Sequence, residues 1–282
     1  MEMYMPVFQK IDGSLFCLTE ASLTNIFLIK GERKAMLIDA GYGFFDYVPM
    51  IKEIIGNRDL LVVLTHGHPD HALGAYLFDK AYLNEKDREF LSRIDRRSVR
   101  EKALMMREKV LPGFTQETDP EAFLNASLEK TSFLSVKEGD SFDLGGILIE
   151  VYETPGHTEG SVSLLDRKNR RLFPGDILTA GNLWNFGKES SLPKLKESYE
   201  KLRSLESHYD EIWSAHNEIP LRGDILEEWT KLIDDLYMNS EEDEIFLQPM
   251  AEEMTHGVKK YSHVYKRAVL RYTKEQLREG GI

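Results

Sequence analysis

Residues 60–71 read Leu-Leu-Val-Val-Leu-Thr-His-Gly-His-Pro-Asp-His, an unbroken apolar run that passes directly into four side chains able to ligate a metal. Five apolar residues in succession predict a strand over Leu60 to Leu64, buried on both faces. Gly67 and Pro69 then predict a tight loop that turns His66, His68, Asp70 and His71 toward one point. Asp70 and His71 fall where this loop enters a helix carrying Leu73 and Leu77. With only eight histidines in 282 residues, chance is a poor explanation for the cluster. Four such ligands cannot all serve one tetrahedral ion together with water, but two neighbouring ions can share them if further ligands arrive from elsewhere.

Those further ligands have to be imidazole or carboxylate. Cys17 is the only cysteine, which excludes an intrachain disulfide and a thiolate-rich metal site; it reads as a small buried hydrophobe. Three more strands end as the first one does. Ile147 to Thr154 empties into Pro155-Gly156-His157-Thr158, Arg171 to Pro174 into Gly175-Asp176, and Glu211 to Ser214 into Ala215-His216-Asn217. Taken singly, His157 and His216 read as ordinary histidines and Asp176 as a turn residue. Together with the histidine run they predict convergence of the strand ends on a metal centre.

Around this frame the sequence predicts a hairpin from Asn25 to Ile29 and Ala35 to Asp39 about a turn at Gly31 to Arg33. A helix is expected over Tyr47 to Ile55. Ser141 to Leu144 and Ser161 to Asp166 read as strands. Leu192 to Ser207 and Asp224 to Met238 read as helices, the second opened by Asp224 as a cap. From about Glu85 to Leu134 charged residues alternate with apolar ones at helical intervals, among them Phe90, Leu91, Ile94, Leu104, Met105 and Val110. This stretch is expected to be a helical insertion, either a solvated amphipathic pair of helices or a lid over a pocket.

A hydrophobic fraction of 41% supports one large core. The expected organisation is a domain over residues 1–240, with a C-terminal extension over 241–282 packed on it. Val258 to Tyr272 is expected to add a strand or a helix there, and a homodimer through this tail is a further expectation. Trp184, Phe186, Tyr237, Phe246, Tyr261, Tyr265 and Tyr272 are available to line a pocket, although each also suits core or surface. His208, His256 and His263 fit no ligand motif. The net charge of −12 opposes binding to nucleic acid or to anionic membranes. With no apolar stretch near 18 residues and no basic-then-apolar leader in Met1 to Pro6, a cytoplasmic protein is expected.

The motifs as a set resemble the metallo-β-lactamase-fold hydrolase superfamily. They are Leu37-Ile38-Asp39-Ala40-Gly41, Thr65-His66-Gly67-His68-Pro69-Asp70-His71, Thr154-Pro155-Gly156-His157-Thr158, Pro174-Gly175-Asp176 and Ala215-His216-Asn217, in the family's order. The resemblance implies an α/β (α+β) four-layer αββα sandwich. It implies that His66, His68 and His157 hold one ion, that Asp70, His71 and His216 hold a second, and that Asp176 bridges both. Asp39 resembles the family's aspartate that orients the ligand loop. Two divalent ions are expected, zinc before iron or manganese, sharing a hydroxide that attacks an ester, thioester or lactone of a small molecule. Asp70 is the expected orienter of that nucleophile and carrier of its proton. His68, where related di-iron proteins place a glutamate, argues against redox chemistry. A phosphodiesterase on the same centre and a metal-containing ligand sensor are the alternatives. The motif set is closest to the glyoxalase II-like and lactonase-like branch, with Asn217 standing where glycine is more usual.

Overall fold

Short runs rich in β-branched and aromatic residues open the chain and pair into a sheet. The computed structural model describes residues 4–222, 224–247 and 258–278, and the chain divides into two units, Met1–Ile149 and Glu150–Ile282.

In the first unit β1 (Gln9–Lys10), β2 (Leu15–Glu20), β3 (Thr24–Lys30) and β4 (Lys34–Ile38) form an antiparallel meander. The sheet continues in parallel through β5 (Asp59–Val63), β6 (Lys80–Leu83) and β7 (Ser132–Ser135), in the order β1 to β7. Parallel pairing needs crossovers. Helix α1 (Val48–Ile55) connects β4 to β5, and the histidine loop with the short helix α2 (Pro69–Ala72) connects β5 to β6. Between β6 and β7 lie α3 (Glu85–Ile94), α4 (Arg97–Val110), α5 (Phe114–Glu117) and α6 (Pro120–Leu124).

The stretch read as helical up to Leu134 thus ends in a strand. β7 is the last strand of its sheet and carries half-exposed Phe133 and exposed Leu134, so the apolar alternation that marks a buried strand is missing. Leu18, Leu28, Leu37, Tyr47, Ile51, Val62 and Leu73 fill the main core of this unit. Phe44, Phe45, Ala103, Leu104, Phe114 and Phe123 form a second cluster that ties α4 to the loop after β4.

The chain reaches the second unit through β8 (Ser141–Asp143) and β9 (Leu148–Glu153). There β10 (Val162–Asp166), β11 (Arg171–Phe173), β13 (Glu211–Ile212) and β14 (Leu221–Arg222) follow β9 in the sheet order β9-β10-β11-β13-β14. A second sheet runs in the order β12-β17-β16-β15, from β12 (Gly181–Asn185), β15 (Glu244–Ile245), β16 (Tyr261–Tyr265) and β17 (Ala268–Tyr272). The tail expected to give a strand or a helix therefore gives a hairpin, and β17 pairs in parallel with β12.

Helices α7 (Leu192–Ser204) and α8 (Ile225–Asn239) supply Leu195, Tyr199, Leu202, Trp229, Leu232 and Leu236 to this unit's core, against Leu183, Leu270 and Tyr272. Tyr272 is thus a core residue; its hydroxyl donates to Asp243 Oδ2 at 2.6 Å. Asp224 precedes α8 as expected, but its side chain makes no cap. Its carboxylate receives the guanidinium of Arg267 from the β16–β17 turn, and Glu228 accepts from the Arg267 backbone N–H at 3.1 Å. His208 is half-exposed in a short 3₁₀ turn, and His256 lies outside the described residues. His263 is buried between Asp243 Oδ1 at 2.6 Å and Asp235 Oδ2 at 3.1 Å. Among the described residues no helix is long and apolar enough to cross a membrane.

Candidate functional site

Parallel pairing of β4 with β5 aligns Ile38 with Val63, so both strands run out side by side. Asp39 follows at once, in the left-handed conformation with φ +62°, which a non-glycine residue adopts at a cost. That backbone aims its carboxylate across the strand ends. Asp39 Oδ1 accepts from Thr65 N at 2.7 Å, and Oδ2 lies 2.9 Å from His71 Nδ1. A single carboxylate thereby fixes both ends of the histidine loop. His71, with Nδ1 engaged there, presents Nε2 on the other side of the ring, 3.8 Å from Asp70 Oδ2.

Within the loop Thr65 Oγ1 lies 3.1 Å from His66 Nδ1, which leaves His66 Nε2 facing His68 Nδ1 at 3.1 Å. The His66 and His71 ring centres are 4.0 Å apart. Three imidazoles and Asp70 are thus gathered in one loop, and Pro69 starts α2 at a position where a missing N–H costs nothing. Neighbouring segments hold the loop in place. Ala40 N donates to His71 O at 2.8 Å, and a Cβ on Gly74 would stand 1.8 Å from Ala40 O, so only glycine permits that approach.

Three further supports escape a sequence reading. Asp87, buried in the first turn of α3, accepts from Gly67 N at 2.8 Å, although in the sequence it is indistinguishable from an ordinary first-turn helix acid. Thr24 Oγ1 donates to Asp70 Oδ2 at 3.4 Å. Glu20, wholly buried, accepts from the backbone N–H groups of Tyr42, Gly43 and Phe44 at 2.6, 3.0 and 2.9 Å. Burial pushes its carboxyl up to about 7 against the pull of those three donors. No sequence motif marks Glu20.

In the second unit the loop after β9 turns at Gly156, where a Cβ would lie 2.4 Å from Leu195 Cα in α7. The Asp176 carboxylate stands between two imidazoles, Oδ2 at 3.2 Å from His157 Nε2 and Oδ1 at 3.2 Å from His216 Nε2. One carboxylate oxygen thus faces each ring. Asn217, where glycine is more usual, takes φ +64°, a left-handed conformation that asparagine tolerates. Its amide donates to Thr179 Oγ1 at 3.0 Å, a tie glycine cannot make.

Each unit therefore groups its own share of the sequence-derived residues. His66, His68, Asp70, His71 and Asp39 come together in the first, and His157, Asp176 and His216 in the second. The donors are imidazole nitrogen and carboxylate oxygen, and the set fits divalent metal ions. Ring nitrogens are further oriented by Asp39 and Thr65, as metal-ligating histidines commonly are.

Residues 20–216 match the family described as the metallo-beta-lactamase superfamily. The chain belongs to this superfamily. Solved structures of metallo-beta-lactamase proteins agree with it in fold: one from Pontibacter korlensis gives a TM-score of 0.59 at 17% identity, covering 82% of this chain and 100% of that one. An archaeal superfamily protein from Sulfolobus tokodaii gives 0.53 at 22% identity, covering 92% and 94%. Curated superfamily relatives include the acyl-coenzyme A thioesterase MBLAC2 of Homo sapiens, 29% identical over 56% of this chain and 60% of the relative. Another is the hydroxyacylglutathione hydrolase GloC of Haemophilus influenzae, 29% identical over 54% of this chain and 65% of the relative. The chain spans 60% of the length of the first such relatives it matches.

Proposed function

We propose that this metallo-beta-lactamase superfamily member is a metal-dependent hydrolase of small-molecule esters, thioesters or lactones, with thioesters the first substrates to try. The observation that carries the reading is Asp176, which offers one carboxylate oxygen to each of two imidazoles. In this reading His66, His68 and His157 hold one ion, Asp70, His71 and His216 hold a second, and Asp176 is common to both. Zinc suits the donors best, with iron or manganese possible. When bound, such ions would supply Lewis acidity and lower the pKa of a bound water, which a single zinc brings from 15.7 to about 7.

The protein's own groups then have separate tasks. Asp39 and Thr65 fix which nitrogen of His71 and His66 faces inward. Asp70 orients the attacking water and carries its proton, with Thr24 holding one of its oxygens. The names of the curated relatives, a thioesterase and a hydroxyacylglutathione hydrolase, support carbonyl rather than phosphoryl substrates. Residues 1–240 are taken as the catalytic domain, and 241–282 as an extension packed on it.

The test is a panel of thioesters, lactones and phosphodiesters run on the metal-loaded protein, with metal analysis and Asp176→Ala as control. Thioester turnover with two ions per chain, lost in the control, is the expected result. Fewer than two ions at saturation sinks the paired centre. A metabolite that raises the melting temperature yet is never turned over favours a sensor instead.

A further inference from the structure

Helix α4 turns two arginines inward, and the structure treats them differently. Arg100, with no exposed surface, pairs Nη2 with Asp95 Oδ1 at 2.9 Å and sets its guanidinium 5.2 and 5.3 Å from the ring centres of Tyr76 and Phe123, while its Nε and Nη1 are sealed in without a hydrogen-bond partner and out of a ligand's reach. Arg107, two turns further along the same face, is 9% exposed. Its Nη1 donates to the backbone oxygen of Ala21 at 3.2 Å, and among the described residues no carboxylate pairs with it. A guanidinium cannot shed its proton, and the nitrogens of Arg107 that do not touch Ala21 are not sealed in as those of Arg100 are, so an incoming anion can pair with them.

The carbonyl it touches belongs to a second anomaly. Ala21 and Ser22 have φ of +51° and +53°, two consecutive left-handed residues where hairpins ordinarily use asparagine or glycine. Such strain persists where the surroundings impose it, and it collects at ligand clamps. Leu23 N closes the turn on Glu20 O at 2.9 Å, and Thr24, the next residue, holds Asp70. Tyr42 packs on the cluster that holds Ala21 and Leu104 of α4, and its backbone N–H donates to Glu20 Oε2 at 2.6 Å, next to the turn. An unmatched cation, a strained turn and a carboxylate of the histidine loop thus share one neighbourhood of the first unit.

We propose that Arg107, with the Ala21–Ser22 turn, binds the anionic oxygens of the substrate, a carboxylate or a phosphate on the portion remote from the scissile bond. The assignment rests on the hydrolase reading above for what is cleaved, but the anion site stands on its own chemistry. Bidentate guanidinium recognition of such a group supplies both affinity and orientation. Arg107 is then a specificity residue, and helix α4 of the insertion is part of the substrate site.

Three acyl thioesters with one acyl group separate the possibilities: a coenzyme A ester carrying phosphates, a glutathione ester carrying carboxylates, and an uncharged N-acetylcysteamine ester. For the charged ester that the wild-type protein takes at lower KM, Arg107→Gln is expected to raise KM about tenfold or more, the worth of a charge-assisted hydrogen bond. Its kcat and the kinetics of the neutral ester stay within twofold of wild type, and Arg107→Lys recovers part of the loss. The coenzyme A and glutathione arms tell phosphate from carboxylate. Equal KM shifts for charged and neutral esters, or none, overturn the proposal.

If Arg107→Gln does not fold, inorganic phosphate added to the wild-type protein decides: competition against the charged ester alone supports the site, and equal inhibition of both overturns it. Calorimetric binding of free coenzyme A and of glutathione keeps the two readings apart. Binding by wild type but not by Arg107→Gln, with no thioester hydrolysed, retains the anion site and removes the hydrolase. Hydrolysis with no Arg107 dependence does the reverse.

Discussion

His71 Nδ1 lies 2.9 Å from Asp39 Oδ2, and the two side chains are 0% and 2% exposed. A carboxylate so placed fixes the imidazole's tautomer, its rotation and its basicity at once. Asp39→Asn keeps the shape and removes the charge. It is expected to weaken metal affinity by about 10–100-fold, read by titrating the loaded protein with a chelator. Retention equal to wild type throughout that titration rules out the orienting role.

Asp87→Ala removes the acceptor of Gly67 N from a buried position. Leaving that N–H unmatched is expected to cost about 1–3 kcal/mol in denaturant unfolding. Because the displaced group lies between His66 and His68, kcat should fall more than KM rises. An unchanged unfolding midpoint with unchanged kcat excludes Asp87 as a support of the loop.

Gly74→Ala is expected to be severe, at more than about 3 kcal/mol, since backbone must move to admit a Cβ 1.8 Å from Ala40 O. Gly13→Ala, where nothing lies within 4 Å, should change stability by less than about 0.5 kcal/mol. Thermal melts of the pair make the comparison. Similar melting temperatures would mean that the loop after β4 does not pack as described.

Glu20 sets a pH dependence whose sign is opposite to that of a paired carboxylate. Its folded-state value is pushed up to about 7 from an ordinary 4.5, so between these the folded chain binds a proton that the unfolded chain does not. The stability it contributes is present below about 4.5 and is lost as pH rises through about 7. Relative to Glu20→Gln, wild type should lose on the order of 3 kcal/mol between pH 4.5 and 8. Parallel stability profiles for the two proteins refute this.

The Cys17 thiol is pushed up to about 12 by burial, so it stays protonated and unreactive over the whole physiological range. A thiol reagent at pH 8 should label it only after denaturation. Rapid labelling of the native protein contradicts its burial in β2.

The histidine loop was legible because a doubly buried strand announces itself as an apolar run, and the ligands follow at the point where the run stops. The same rule found the positions of His157, Asp176 and His216. What was not legible depends on partners distant in sequence. Lys80–Leu83 and Gly181–Asn185 become strands only because others flank them, and their own composition carries no alternation strong enough to declare it. Asp224 was read as a helix cap, yet its carboxylate is taken by Arg267, a residue of the C-terminal hairpin. Asn217 in place of glycine proved compatible with the turn, since asparagine reaches the same φ. Arg107 lies among the many charges of the predicted insertion, and what sets it apart is its contact with Ala21 O without a carboxylate partner among the described residues, which no sequence pattern announces.

The parallel pairing of β12 with β17 bears on how the protein is made. Strand β12 leaves the ribosome long before its partner, and until β17 arrives Leu183 lacks Leu270 beside it in the ladder. The first unit carries no such debt, because each of its strands finds a neighbour soon after synthesis. Biogenesis is therefore asymmetric: the stretch between β12 and the C-terminal hairpin is the interval in which a nascent chain is most exposed to chaperones and proteases, and slowing translation there should lower the yield of soluble protein more than slowing it anywhere in the first half.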